Sequence, residues 1–138
     1  MIIDASDLLL GRMATFVAKK ALLGEKIDII NCEKAIISGN KNQVVRKYKQ
    51  RQIKGNTFKG PFYPRKPNMF VRRTVRGMLP YKKEKGKKAY ERVKCYIGIP
   101  GVFKDKKAET IENANIKKLS SLKYVQVEKV CKLIGAKW

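Results

Sequence analysis

Nearly all the side chains able to do chemistry in this sequence are cations. Residues 41–83 hold fourteen Lys and Arg and no Asp or Glu. An ordinary solvated face mixes charges of both signs. Cations without carboxylates repel one another until a polyanion arrives, and phosphate is the polyanion their geometry suits. Arg72, Arg73 and Arg76 share one arc of a helix at about 100° per residue, and guanidinium forks take phosphate bidentately. Lys41, Lys47, Lys49, Arg51, Lys54, Lys59, Arg65, Lys66, Lys82 and Lys83 complete the candidate phosphate contacts. Phe58, Phe62 and Tyr63 lie among them. Rings so placed either stack on unpaired bases or pack onto the domain.

Other chemistries find little support. The chain has no histidine, which removes the Ser-His-Asp triad, the imidazole base and the His-ligated metal. Its three cysteines, Cys32, Cys95 and Cys131, are an odd number without a C-x-x-C pair. Neither a disulfide scaffold nor a zinc ribbon is expected, and buried inert thiols in a reducing compartment fit better. The first turn, residues 4–12, carries one glycine and two carboxylates. A dinucleotide fingerprint needs G-x-G-x-x-G there, and no phosphate-binding G-x-x-x-x-G-K-[ST] occurs elsewhere. Asp4 and Asp7 are therefore expected to cap or hydrogen-bond rather than catalyse. No catalytic residue, cofactor or metal is expected.

Several elements must position the cations. Met1 to Ala5 open as an apolar strand, and Ser6 and Asp7 offer N-caps for a helix over residues 8–23. Its apolar positions Leu10, Met13, Ala14, Val17, Ala21 and Leu22 follow helical spacing, and Gly24 stops it. Residues 26–31 form a second, β-branched strand, completing a βαβ unit with a parallel pair. Residues 33–40 carry a short apolar turn ending in a Ser-Gly-Asn stop-and-cap signal. A helix follows through about residue 52, with a thin seam of Val44, Val45 and Tyr48. Residues 55–67 contain two glycines and three prolines, and no regular element survives that composition.

The sharpest periodicity comes next. Phe70, Val71, Thr74, Val75, Met78 and Leu79 fall on one half of a helix, opposite the three arginines. Pro67 sits near its start and Pro80 ends it. Residues 86–92 give a short helical turn and residues 93–99 a strand, broken by Pro100-Gly101. Residues 103–118 are polar and aperiodic, as an exposed connection would be. Val125, Val127, Val130, Leu133 and Ile134 predict a final strand or helix, ended by Gly135.

The totals agree with this division. The chain has 138 residues, 33 Lys+Arg against 11 Asp+Glu, and 43% apolar residues. That length fits one domain, 1–138, able to bury about 68–70% of its unfolded surface. Residues 1–40 are neutral, with five charges of each sign; residues 84–138 hold fourteen basic and six acidic side chains. No apolar run approaches the roughly 18 residues of a membrane span, and the start lacks a signal-peptide pattern. The composition points to a cytosolic polyanion binder without membrane or small-molecule partner.

Five motifs in order then resemble a known family: Asp4-Ala5 with Leu10-Gly11-Arg12-Met13-Ala14; Asn31-Cys32-Glu33-Lys34-Ala35; Ser38-Gly39-Asn40-Lys41; Gly60-Pro61-Phe62-Tyr63-Pro64-Arg65-Lys66-Pro67; and Arg73-Thr74-Val75-Arg76-Gly77-Met78-Leu79-Pro80. Together they resemble the universal large-subunit ribosomal protein L-thirteen family over residues 1 to about 100. The Arg73-to-Pro80 octet is the most specific piece. Gly60-Pro61-Phe62-Tyr63-Pro64 and Pro80-Tyr81-Lys82-Lys83 resemble the archaeal and eukaryotic branch, and an end at Trp138 fits archaeal length. Ser38 stands where the family carries Thr, which keeps the hydroxyl.

The resemblance implies an α/β fold, three-layer α/β/α around a four-stranded parallel sheet. It also implies a cytoplasmic structural role in the large ribosomal subunit. There the protein would bind large-subunit ribosomal RNA, support assembly, and adjoin neighbouring ribosomal proteins. An RNA-modifying enzyme would need a cofactor turn and a general base. A DNA-binding module would need a groove-reading motif, although charge alone is compatible with one.

Overall fold

The computed structural model describes all residues, 1–138. Strand β1 (Ile2–Asp4) leads into helix α1 (Leu10–Leu22), and β2 (Ile27–Ile30) returns parallel to β1, pairing Ile3 with Ile29. A 3-10 turn at Cys32–Lys34 separates β2 from β3 (Ile36–Ser38). Helices α2 (Lys41–Ile53), α3 (Pro67–Met78) and α4 (Glu84–Glu91) follow, then β4 (Val93–Cys95), β5 (Tyr124–Gln126) and α5 (Val127–Leu133). No helix is long and apolar enough to cross a membrane.

The parallel sheet has three strands, in the order β1-β2-β4, not the four that the family resemblance implied. The place beyond β1 is taken by a single residue. Glu109 bridges Ile3, its amide donating to the Ile2 carbonyl at 2.8 Å while its carbonyl accepts from Asp4 N–H at 3.0 Å. Backbone groups on the edge of β1 are thereby paired without a continuous strand. The stretch 103–118, expected to be an exposed connection, therefore also serves the sheet, and Ala114 within it is fully buried. Residues 36–38, expected as a turn, form an antiparallel pair with β5, Ile37 opposite Val125. The strand expected over 93–99 stops at Cys95, and Gly98 takes a φ of 65°.

Local signals account for several helix ends. Gly24 takes a φ of 105° after α1, a conformation that costs glycine nothing. The Asn40 side chain accepts from Asn42 N–H at 3.1 Å and caps α2, and Pro67 is the first residue of α3. Ser6 and Asp7, by contrast, do not cap α1, which begins later with no side-chain cap. Ser6 instead donates its N–H and hydroxyl to Asp4 Oδ1, at 2.9 and 2.7 Å. Buried Asn31, in the left-handed region at φ 53°, adds its Nδ2 to the same oxygen at 3.0 Å. Burial pushes the Asp4 carboxyl up, but these donors outweigh it, and its pKa lies below the ordinary 3.8.

One apolar cluster joins Ile3, Met13, Val17, Ile29, Phe70, Val71, Val75, Val93, Val127 and Val130. Helix α1 packs chiefly on α3 and also on α4. Helix α4 lies tightly against the connection that leads into it from α3: a Cβ on Gly86 would lie 2.1 Å from the Pro80 carbonyl oxygen. On α3 the apolar half is narrower than its periodicity implies. Phe70, Val71 and Val75 are fully buried, but Met78, counted with them in the sequence, is 41% exposed. Its sulfur accepts from the Thr15 hydroxyl of α1 at 3.3 Å, at the exposed edge of the contact between the two helices.

Cys32 and Cys131 are buried and Cys95 is half-buried, so the expectation of three buried thiols holds for two. The adjacent Cys95 and burial push the Cys32 thiol up, and burial pushes Cys131 up to about 12, which keeps both protonated and unreactive.

Two outcomes follow from this packing. Val75→Asp places an unpaired charge in the core and should destabilise by roughly 4 kcal/mol or more, whereas Met78→Asp should change stability by about 1 kcal/mol or less; equal losses of Tm would contradict the placement of Met78. Because the Asp4 pKa is lower folded than unfolded, its contribution is present above 3.8 and is lost as pH falls through the folded value. Asp4→Asn removes that titration. Its Tm should therefore fall less than that of the parent between about pH 6 and about pH 3.

Candidate nucleic-acid interface

The acid-free segment builds one connected region from α2, the 54–66 loop and the outer face of α3. Its scaffold is aromatic. Tyr48 of α2, Tyr63 of the loop and Phe70 of α3 form a mutual cluster, with ring centroids 4.8 to 5.7 Å apart. Burying Phe70 thus fixes α2 and the loop against α3. Burial pushes the Tyr48 and Tyr63 phenols above their ordinary 10.0, although the Arg51 and Arg73 guanidiniums pull the Tyr63 value the other way.

Over this scaffold the arginines are held without carboxylates. The chain's ion pairs, Lys20–Glu25, Lys88–Glu84 and Lys132–Glu128, all lie outside residues 41–83. Each α3 arginine instead lies over a tyrosine ring: Arg72 over Tyr90 at 4.4 Å, Arg73 over Tyr63 at 4.5 Å and Arg76 over Tyr81 at 4.0 Å. Arg72 Nε also donates to the Val93 carbonyl at 3.1 Å, and Arg73 Nη1 to the Phe62 carbonyl at 2.7 Å. These contacts restrict the side chains and leave their charge uncompensated. Remaining N–H groups of each fork stay available to an anion.

Most of the residues expected to meet phosphate lie on the surface. Lys41, Lys47, Lys49, Arg51, Lys54, Lys59, Arg65, Lys66, Arg76, Lys82 and Lys83 are exposed, and Arg72 and Arg73 are half-buried. Phe58 and Phe62 are 89% and 70% exposed, whereas Tyr63 is packed against Tyr48 and Phe70. Of the two roles open to the loop rings, packing is taken by Tyr63 alone. The structure also gives Tyr81 and Tyr90 a part that the sequence reading missed. Their place at the ends of α3 and α4, beside an arginine-rich helix, was the available signal.

In the loop itself, Asn56 and Gly60 exchange backbone hydrogen bonds at 3.1 and 2.9 Å and close a small turn around Lys59. Its far side is tied down through the Phe62 carbonyl.

The α/β frame thus carries a large cationic face, on one long loop and two helices, without an ion-pair partner. The chain belongs to the ribosomal protein L13 family, whose model matches residues 1–101. The large ribosomal subunit protein uL13 of Methanosarcina barkeri is 43% identical over 138 residues, covering 99% of both chains. Its counterpart in Methanosphaera stadtmanae is 45% identical over 141 residues, covering 99% of this chain and 98% of its own. That of Haloarcula marismortui is 40% identical over 136 residues, covering 99% and 91%. These relatives all carry the name of a large ribosomal subunit protein. All are archaeal, in keeping with the branch that the loop motif resembles.

The loop generates a test. With no carboxylate to hold Lys59, trypsin should cut after it in the free protein, while the bond before Pro67 resists. Bound ribosomal RNA must offset about 1–2 kcal/mol of backbone entropy per residue it orders, so several contacts should act together and protect the turn. Equal cleavage after Lys59 with and without RNA would mean that the loop does not engage it.

Proposed function

We propose that this protein is a structural constituent of the large ribosomal subunit, acting in the cytoplasm as one domain, 1–138, of α/β/α layering. It binds large-subunit ribosomal RNA through the phosphate backbone, sits beside neighbouring large-subunit proteins, and supports assembly of the subunit. The carrying observation is the set of fourteen cations in residues 41–83 without a single ion-pair partner. A face so charged is destabilised by its own repulsion until phosphate supplies the counter-charge. Family membership and the names of the archaeal relatives support the same assignment.

Within that face the roles divide. Arg72, Arg73 and Arg76, pre-positioned on their tyrosines, contact phosphates with little further loss of side-chain freedom. Lys41, Lys47, Lys49, Arg51, Lys54, Lys59, Arg65, Lys66, Lys82 and Lys83 extend the contact along the backbone of the RNA. Phe58 and Phe62, exposed at the loop, stack on unpaired bases, while Tyr63 holds arginines in place. No step of this role requires bond making or breaking.

The salt dependence of binding tests the assignment. Each phosphate neutralised contributes a slope of about 0.7 to 0.9 in the logarithm of affinity against the logarithm of salt. Replacing Arg72, Arg73 and Arg76 by Gln should reduce the slope on large-subunit ribosomal RNA by roughly 2 to 3 and weaken binding at low salt. Helix content should hardly change, since Gln is close to Arg in propensity. Tm should drop modestly through the lost bonds to Val93 and Phe62. An unaltered slope would show that this face does not touch the RNA backbone.

A further inference from the structure

Between α2, the loop and α3 lies a cavity of about 530 Å3, with Arg51, Lys54, Tyr63, Arg73, Gly77 and Met78 on its walls. Three of these are cations, and no carboxylate lines it. Arg73 lies over Tyr63 at 4.5 Å, and Arg51 lies 5.9 Å from the same ring, so the two guanidiniums are gathered on one aromatic support. The volume exceeds what one phosphate fills and falls within the roughly 300–1,000 Å3 range of small-ligand pockets. A duplex is too wide to enter such a space.

Gly77 supplies an independent observation. It is exposed, stands inside α3, and is absent from the residues with positive φ. A Cβ built there would meet nothing within 4 Å. Neither backbone conformation nor packing within the protein therefore asks for glycine, although glycine weakens a helix relative to alanine. What glycine does give is a strip of bare backbone on the wall of a cationic cavity, where a ligand can approach closely.

We propose that this cavity is a pocket for a single unpaired nucleotide of the bound RNA. The phosphate lies among Arg51, Lys54 and Arg73, and the sugar and base lie along the bare α3 backbone at Gly77. Arg73 already lies over the Tyr63 ring, so the base meets a guanidinium plane rather than the tyrosine. This assignment rests on the RNA-binding role proposed above and gives that role a specific seat.

The test uses the full chain with Gly77→Ala and Gly77→Leu, a transcript of large-subunit ribosomal RNA, and adenosine 5′-monophosphate as a free-nucleotide probe. Both variants should keep or raise Tm. Binding of the transcript should weaken in the order parent, Ala, Leu, by roughly tenfold or more for Leu. The salt slope should also fall for Leu although no charge has been removed, because blocking the cavity strands its phosphate contacts. Parent-like affinity and slope for Gly77→Leu overturn the pocket while leaving the RNA-binding role intact. A parent protein without salt-dependent binding overturns that role itself. A lower Tm for Gly77→Ala would assign the bare backbone to internal packing and overturn the pocket. Adenosine monophosphate binding as tightly as the transcript would make it a free-nucleotide site instead, and also overturns the proposal.

Discussion

The burial of Phe70 is the constraint on which the cationic half of this protein depends. Its ring meets Tyr48 at 4.8 Å and Tyr63 at 5.7 Å, and through them α2 and the loop are held to α3. Each aromatic pair adds about 0.5–1.5 kcal/mol beyond its buried area. Opposing that is the repulsion among cations that have no acids between them. Unit charges 4 Å apart in water repel by only about 1 kcal/mol, and salt screens wider separations further. The aromatic anchor can therefore hold a strongly basic surface together, provided the charges stay solvated. The exposed placement of almost all of them meets that condition.

Elements were legible in the sequence where their cause is local. The α3 stripe, the Asn40 cap, Pro67, Gly24 and the parallel β1-β2 pair all express their signal within a few residues. Features whose partner is distant were not legible. Ile36 to Ser38 read as a turn because the strand that pairs with them lies at residues 124–126. The polar run after residue 103 gave no sign that one of its members, Glu109, would close the edge of β1. Met78 satisfied the helical period but lies at the edge of the α1–α3 contact, touching Thr15 while 41% exposed. The Ser6 and Asp7 pair looked like an N-cap, yet Asp4 and Asn31 draw Ser6 into a different network.

The candidate site was legible in a similar, partial way. Charge and its lack of compensation are properties of composition, so the extent of the basic region could be read directly. The division of labour among its aromatic residues could not. Phe58, Phe62 and Tyr63 are close neighbours of similar chemistry, but Tyr63 alone falls where Tyr48 and Phe70 can bury it. Tyr81 and Tyr90 pack edge-on against each other at 5.4 Å, a contact between α4 and the connection that leads into it. The close approach of that connection to α4 depends on Gly86 lying against the Pro80 carbonyl. Only their place beside an arginine-rich helix hints at a partner arginine.

Supporting arginines on tyrosines rather than on carboxylates decides what the surface can do. An ion pair would hold a guanidinium equally still, but it would cancel the charge and occupy the fork that phosphate needs. A tyrosine face attracts the cation by about 0.5–1 kcal/mol at an exposed site and leaves both the net charge and the edge N–H groups intact. It also removes part of the rotamer freedom that a free arginine would lose on binding. Three such pairs along α3, at 4.4, 4.5 and 4.0 Å, turn one helix into a row of oriented, uncompensated guanidiniums. The same arrangement explains why the acid-free stretch must extend beyond α3. A carboxylate in the loop beside Phe62 or Tyr63 would lie within reach of Arg73 and would capture it before RNA could.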